Sequence, residues 1–312
     1  MYKYLVTGGA GFIGSNIVKE LIKRNEFVRV LDNFSTGKRE NLKEFNDYKK
    51  LQIIEGDLRS FHIVRDAVRG IHFILHQGAL PSVPRSIDDP LTTNDVNING
   101  TLNILEAAKE FGVRRVIFAS SSSVYGDCDA LPVNEDMPIM PLSPYAISKY
   151  TGERYCQIYF QLYGLETVCL RYFNVFGPKQ DPDSQYSAVI PKFIKLISNK
   201  IRPVIYGDGM QSRDFTFVEN NVNANLLACF TDNVAGQVFN VACGLKYTLL
   251  ELVDGINSFF KSDIKPVFEE GRIGEIKHSL ADISKIKSML NFVPKVGFIE
   301  GLEKSIKFFA NL

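Results

Sequence analysis

Residues 7–14, TGGAGFIG, constrain this chain more than any other stretch. They follow a short apolar run, YKYLV, and open GFIGSNIVKELIKRN, whose apolar residues recur at helical period. Gly8, Gly11 and Gly14 stand three apart at the joint. The first permits a tight turn, the second lets an anion approach the backbone, and the third lets helix pack on strand. Helix N-terminal amides then face that anion. A glycine triplet alone marks many plain turns. Here it lies where a strand ends and a helix begins, the context of a βαβ unit that cradles a dinucleotide pyrophosphate.

The same alternation continues downstream. FVRVLD, LQIIEGD, IHFILHQGA, RRVIFASSS and LETVCLRYFNVFG read as further strands. NINGTLNILEAAKEFG reads as a helix with an apolar stripe of Ile98, Leu102, Leu105 and Ala108, ended by Gly112. SPYAISKYTGERYCQIYFQLYG is a second long helix, with Gly164 at its close. Alternating strands and helices, with strands apolar on both faces, predict an α/β fold: a Rossmann-type doubly wound parallel sheet. We assign it to residues 1–174, with a return segment near 211–242. The regularity fades after Gly177, where GPKQDPDSQYSAVIP predicts a long functional loop. KFIKLISNK (helix), VIYGDG (strand and turn) and FTFVENNVNANLLACF (strand into helix) follow. A smaller, mixed and discontinuous C-terminal substrate lobe over 175–312 is expected, with the ligand in the crevice between the two parts.

Composition excludes several classes. Hydrophobic residues make up 45% and charged residues 23%, and the net charge of +1 suggests no nucleic-acid footprint. Five cysteines, none spaced C-x-x-C, and four histidines without helical metal spacing argue against a disulfide framework or a metal site. The N-terminal stretch lacks signal-peptide character, and no run approaches the roughly 18 apolar residues of a membrane helix. A cytoplasmic location without membrane contact is expected.

Asp32 closes the second strand, in VRVLDNFSTG. A carboxylate there accepts hydrogen bonds from the adenosine ribose and repels a 2′-phosphate, which favours NAD over NADP. Asp57, in EGDLRS, stands where an adenine amino group would be met, or equally where a helix needs an N-cap. Tyr145 and Lys149, in SPYAISKY, are four apart and share a helix face. A tyrosine with a normal pKa near ~10 is a poor base at neutral pH. A fixed cation beside it favours phenolate, and such a group takes a proton from an alcohol as hydride leaves the same carbon. FASSSSVYG, at the end of the fifth strand, adds hydroxyls on the crevice side, or forms a polar turn.

TGGAGFIG, FASSSSVYG, SPYAISK and LRYFNVFGP, in this order, resemble the extended short-chain dehydrogenase/reductase family. Within it the chain is similar to nucleotide-sugar 4-epimerases, UDP-N-acetylglucosamine 4-epimerases above all. ALPSVPRSIDDP, YSAVIPKFI, YGDGMQSRDFTFV and KHSLADISK extend the likeness over nearly the whole length. The resemblance implies tightly held NAD and a redox cycle. The sugar 4-hydroxyl loses its proton, carbon 4 gives hydride to NAD, the 4-keto sugar turns, and hydride returns to the opposite face. It implies Ser121, Tyr145 and Lys149 as catalytic residues, with Ser122 and Ser123 close by. It implies coenzyme contacts from Gly8, Gly11, Phe12, Ile13, Gly14, Asp32, Asn33, Ser35, Gly37, Asp57, Leu58, Gln77, Ala79, Asn97, Tyr145 and Lys149.

On the substrate side the resemblance implies Ser82, Ser121, Ser122, Tyr145, Asn174, Gln180, Ala188, Val189, Tyr206, Arg213, Arg272 and Ser279. The two arginines suit a diphosphate, since each guanidinium forks onto two oxygens; either alone would pass for a surface ion pair. Ser279 borders the carbon-2 substituent in such enzymes, and its small side chain leaves room for an N-acetyl group; it would also simply start the ADISK turn. UDP-GlcNAc and UDP-GalNAc are therefore the expected substrates, with the plain hexoses left open. Related dehydratases carry Thr-Asp-Glu where this chain has Ser121, Ser122 and Ser123, so dehydration is disfavoured. A UDP-glucuronate epimerase or decarboxylase would want a cation at the sugar, with Arg85 and Lys192 as candidates. A non-catalytic NAD-binding sensor would let Tyr145, Lys149 or the serines decay, and all are intact. Helices near 98–111 and 145–163, with Leu102, Leu105, Ile158, Phe160 and Leu162, carry an apolar surplus that suits a homodimer or packing on the sheet.

Overall fold

The computed structural model describes residues 1–128, 130–182, 188–271 and 277–310. The expected strands form as β1 (Lys3–Thr7), β2 (Phe27–Asp32), β3 (Leu51–Glu55), β4 (Phe73–His76), β5 (Arg115–Ser121) and β6 (Glu166–Tyr172). The remainder of the chain supplies β7 (Val175–Phe176), β8 (Val204–Tyr206), β9 (Ser212–Arg213), β10 (Thr216–Phe217), β11 (Val238–Val241), β12 (Tyr247–Thr248) and β13 (Val267–Glu269). Seven strands pair in one parallel sheet, in the order β11-β6-β5-β4-β1-β2-β3. The chain winds outward from β1 to β3, then crosses to β4 and winds the other way. That reversal opens a crevice at the carboxyl ends of β1 and β4.

The seventh strand, β11, lies within the return segment but does not stand out in the sequence. At four residues it is too short to show a period, and all four are buried. Helix α1 (Phe12–Lys23) buries Ile17, Val18 and Leu21 on one sheet face, while α2 (Phe61–Val68) buries Val64, Ala67 and Val68 on the other. Helices α3 (Val83–Asp88) and α4 (Pro90–Asn94) are short, and a π-helical turn, Asp95–Asn99, leads into α5 (Gly100–Glu110). The π turn adds a residue to the helical period. The buried face consequently holds Asn97, Thr101, Ile104, Leu105 and Ala108, leaving Ile98 and Leu102 of the expected stripe only half-buried.

Helix α6 (Pro144–Tyr163) starts at Ser143, whose hydroxyl accepts from the Ala146 amide at 3.1 Å, with Pro144 in the first turn. It ends at left-handed Gly164. Gly152 lets this helix lie hard against β5, because a Cβ there would stand 2.4 Å from the Phe118 ring. The smaller lobe is built from α7 (Val189–Ser198), α9 (Leu249–Phe260), α11 (Phe298–Ala310) and the two-stranded pairs β7–β10, β8–β13 and β9–β12. Its own core gathers Phe193, Ile194, Phe215, Phe217, Leu252 and Phe298. Helix α8 (Val218–Phe230) packs between this part and the sheet, and α10 (Ser284–Leu290) packs on β11. None of the described helices is long and apolar enough to cross a membrane.

Candidate active site

The glycine turn is built by backbone necessity. Gly8 has φ +64°, and a Cβ there would lie 2.8 Å from Gly78, at the end of β4. At Gly14 a Cβ would fall 2.1 Å from the Gly8 carbonyl oxygen, so helix α1 can meet β1 this closely only without a side chain. Gly11, the N-cap of α1, has no side chain with which to cap the first-turn amides, leaving them for an anion.

These glycines border a cleft of about 410 Å³. Phe12, Ile13, Asp32, Asn33, Ser35, Gly37, Asp57, Leu58, Gln77 and Ala79 line it with them, as do Ser82, Arg85, Tyr145, Lys149, Gln180 and Ala188. Asp32 accepts the Ala10 amide at 2.9 Å and the Phe34 amide at 2.8 Å, and its burial raises its pKa against the pull of those two amides. Each oxygen keeps a lone pair for a ribose hydroxyl.

Asp57 is not a helix N-cap. Ser60 holds that position for α2, without a side-chain bond. The Asp57 carboxylate instead takes the Arg59 side chain and amide and the Asn33 amide group, and Arg59 holds its pKa well below the usual carboxylate range. Asn97 stands behind the wall rather than on it. It clamps both backbone groups of Leu80 and donates to Ser148, so it fixes the loop after β4.

The α6 start carries the reactive pair to the end of β5. Tyr145 opens onto the cleft, with the Ser121 hydroxyl near enough to its phenol to favour the phenolate. The Ser121 hydroxyl donates to the Ser123 hydroxyl at 3.0 Å and accepts the Ser123 amide at 3.1 Å. Ser122 begins the 3₁₀ turn Ser122–Tyr125, and neither it nor Ser121 lines either cleft; the serine on the wall of the first is Ser120. Lys149 is buried, donates to the Ala119 carbonyl at 2.9 Å, and sits 5.9 Å from the centre of the Tyr145 ring.

One expectation needs correction. The Tyr145 pKa is raised, because burial disfavours the phenolate more than the nearby Ser121 hydroxyl favours it. Burial also pushes the Lys149 ammonium down to about 8, against the pull of Glu153. In the polypeptide alone this is a neutral phenol beside a weakened cation.

A second cleft, of about 320 Å³, opens in the lobe and shares Ala188 with the first. Asn174, Val189, Tyr206 and Arg213 line it, with Lys192, Gln211 and Phe215. Arg213 is anchored by its guanidinium to the carbonyls of Ser212 and Lys277. Ser279 is half-buried and pairs its amide with the Ser212 carbonyl at 3.0 Å, behind Arg213 rather than on a cleft wall. Arg272 lies outside the described residues.

Gln180, expected on the substrate side, lines the first cleft, while Gln211 and Lys179 went unnoticed in the sequence. Among the described residues, Gln211 and Gln180 each carry a buried side-chain oxygen with no partner, and Lys179 joins the Gln180 segment to the cleft rim. No motif logic singles out Gln211 or Lys179, since a lone Gln or Lys in a loop has no spacing to read. The glycine cradle, the ribose-side carboxylate and the unpartnered Gln180 oxygen fit a bound NAD, which would supply donors where acceptors lack them.

Residues 4–242 match the NAD dependent epimerase/dehydratase family. A putative UDP-glucose 4-epimerase of Methanocaldococcus jannaschii is 38% identical over 308 residues, covering 98% of each chain. The structure of a UDP-N-acetylglucosamine 4-epimerase from Methanobrevibacter ruminantium M1, in complex with UDP-N-acetylmuramic acid, is 43% identical and superposes with a TM-score of 0.95 over 99% of this chain and 98% of that one. A Bacillus cereus UDP-glucuronic acid 4-epimerase, solved with UDP-glucuronic acid and NAD, is 32% identical, with a TM-score of 0.92 over 99% of both chains. With the likeness running the length of the fold and the glycine cradle, Ser121, Tyr145 and Lys149 all present, the chain belongs to the NAD-dependent epimerase/dehydratase family of extended short-chain dehydrogenases/reductases, among its UDP-sugar 4-epimerases, with NAD as cofactor.

Proposed function

We propose that this enzyme interconverts UDP-N-acetylglucosamine and UDP-N-acetylgalactosamine by inverting carbon 4. The observation that carries the reading is the junction of the two clefts at Ala188, with Tyr145 on the wall of the first. A nucleotide in the lobe cleft and a coenzyme in the sheet cleft would meet there across a diphosphate. When bound, NAD supplies the two-electron acceptor and donor for carbon 4 and, in its oxidised form, a positive ring charge.

The chain's own groups do the rest. Tyr145 takes the 4-hydroxyl proton, and Ser121 holds the phenol oxygen and the sugar oxygen together. Lys149 fixes the nicotinamide-side ribose from the floor of the cleft. The raised phenol pKa supports a base that stays protonated until a cation enters the cleft. Arg213 binds phosphate oxygens, and the unpartnered Gln211 oxygen suits a donor on the base of the nucleotide. Rotation of the 4-keto sugar about its diphosphate link then presents its other face.

The name of the Methanobrevibacter relative supports the acetylated substrates, whereas Ser279, which lines neither cleft, adds no support of its own. A second reading keeps its footing in Arg85, a cation on the sheet-cleft wall with Ser82, which suits a carboxylate on the sugar. Two copies are proposed to pair through α6, where Ile147, Ile158 and Leu162 face outward; Leu105 and Phe160 pack inward instead. NAD-loaded enzyme given UDP-N-acetylglucosamine, with no added acceptor, should form UDP-N-acetylgalactosamine by proton NMR. Turnover of UDP-glucuronate alone would transfer the assignment to the second reading.

A further inference from the structure

The loop after β7 does more than line the cleft. It is tied at three places to the rim that holds the glycine turn. Lys179, with φ +71°, sends its side chain into the 3₁₀ helix Arg39–Phe45 that follows the Asp32 strand. There its ammonium donates to the Asn41 carbonyl at 2.7 Å and to a Glu44 carboxylate oxygen at 2.8 Å, with the Lys179 side chain only 9% exposed. Asn41 itself donates to the Ala10 carbonyl within the glycine turn, at 2.8 Å. On one side of Lys179, the Pro178 carbonyl accepts from Asn16 of α1 at 3.1 Å. On the other, Asp181 pairs with Lys38 at 2.9 Å. Between these ties Gln180 faces the cleft with its buried, unpartnered oxygen.

A left-handed backbone at a non-glycine residue costs free energy, and a nearly buried ammonium needs partners. Both costs are met here by contacts that cross from one side of the coenzyme cleft to the other. Lys38, Asn41, Lys179 and Asp181 all belong to its wall, so the ties lie over the space a dinucleotide fills.

We propose that residues 178–181 form a clasp over bound NAD, with Lys179 as its latch and the Asn41 carbonyl and Glu44 as its catch. The clasp sets how slowly the coenzyme leaves, so one NAD serves many turnovers. Lys179 is a retention and positioning residue, and takes no part in the proton transfer.

The test is coenzyme exchange in the NAD-loaded enzyme. Protein carrying unlabelled NAD is mixed with excess radiolabelled NAD, and protein-bound label is followed by rapid gel filtration. Wild type should exchange slowly. Lys179→Met should exchange at least about tenfold faster, and its turnover should come to depend on added NAD. Lys179→Arg should restore slow exchange, and Asp181→Asn should have the smaller effect expected of an exposed pair. Glu44→Gln, at a half-exposed surface position, serves if Lys179→Met fails to fold, and should accelerate exchange while leaving the Asn41 tie in place. Exchange within twofold of wild type in whichever of Lys179→Met and Glu44→Gln folds would overturn the clasp. So would exchange in wild type that is complete on mixing.

Discussion

The sheet cleft and the lobe cleft hold their ligands by different means. The first is made mostly of backbone: left-handed Gly8, helix amides above Gly11, and the missing Cβ of Gly14, all fixed by where β1 hands over to α1. The second is made mostly of side chains on short pieces, with Tyr206 and Arg213 on strands of two or three residues and Asn174 and Gln211 in the loops beside them. What keeps those pieces together is a buried carboxylate. Asp214 accepts the amides of Cys243, Gly244 and Ala281 at 3.0, 3.0 and 3.3 Å and so joins three loops of the lobe. A cofactor common to a whole family suits a site that the topology dictates, while a variable sugar suits one assembled from replaceable side chains.

Perturbing each region separately sharpens that contrast. The largest effect belongs to the junction. Tyr145→Phe should cut kcat by about 10³-fold, the range of a lost general base, while NAD content stays at the wild-type level. In the sheet half, Gly14→Ala puts a methyl 2.1 Å from the Gly8 oxygen and must shift the turn. Overpacking of this kind costs about 1–3 kcal/mol, so NAD affinity measured by calorimetry should fall roughly 10- to 100-fold. In the lobe, Arg213→Ala should raise the KM for UDP-sugar about tenfold, the worth of a charged hydrogen bond of ~1.5 kcal/mol, with NAD affinity unchanged. A fall in NAD affinity of similar size would erase the distinction between the two clefts.

The smallest effect is in the pH dependence of stability, where the two regions have opposite signs. His76, buried in β4 between the hydroxyls of Thr7 and Thr101, is pushed down to about 3 by burial and by Lys149. Between about 3 and 6.5 the unfolded chain binds that proton and the native state does not, so stability from this group is lost as pH falls through that window. Burial raises Asp214 from 3.8 to about 6, against its amides. There the native state holds the extra proton, so its contribution to stability falls as pH rises from 3.8 to about 6. Urea titrations from pH 4 to 7 should show a shallower acid loss in His76→Gln than in wild type. An identical slope would mean that the imidazole titrates normally.

How much of this was legible in the sequence follows the same division. The first six strands, each followed by a turn or helix of a βαβ series, the glycine turn and the Tyr145–Lys149 pair carry an alternation or spacing that physics dictates, and they could be read directly. The four-residue β11 carries no period, and the π turn ahead of α5 rotated a stripe that a straight helix would have kept. Asp57 was ambiguous because an adenine contact and a helix start ask for the same side chain, and the N-cap reading falls because Ser60 holds that position. The expected effect of Lys149 on Tyr145 failed because spacing says which groups are near but not how buried each is. In the lobe the helices keep a period but the cleft residues sit in loops and in strands of two or three residues that carry none, and those residues came from likeness alone. Lys179 and Gln211 were missed because their roles exist only in three dimensions.

The central claim is that one active site removes hydrogen from carbon 4 and returns it to the opposite face of the same carbon. UDP-N-acetylglucosamine deuterated at carbon 4, turned over in ordinary water by the NAD-loaded enzyme, tests it most directly. The account predicts UDP-N-acetylgalactosamine that keeps its deuterium at carbon 4. Product formed with that label replaced by solvent protons would contradict it.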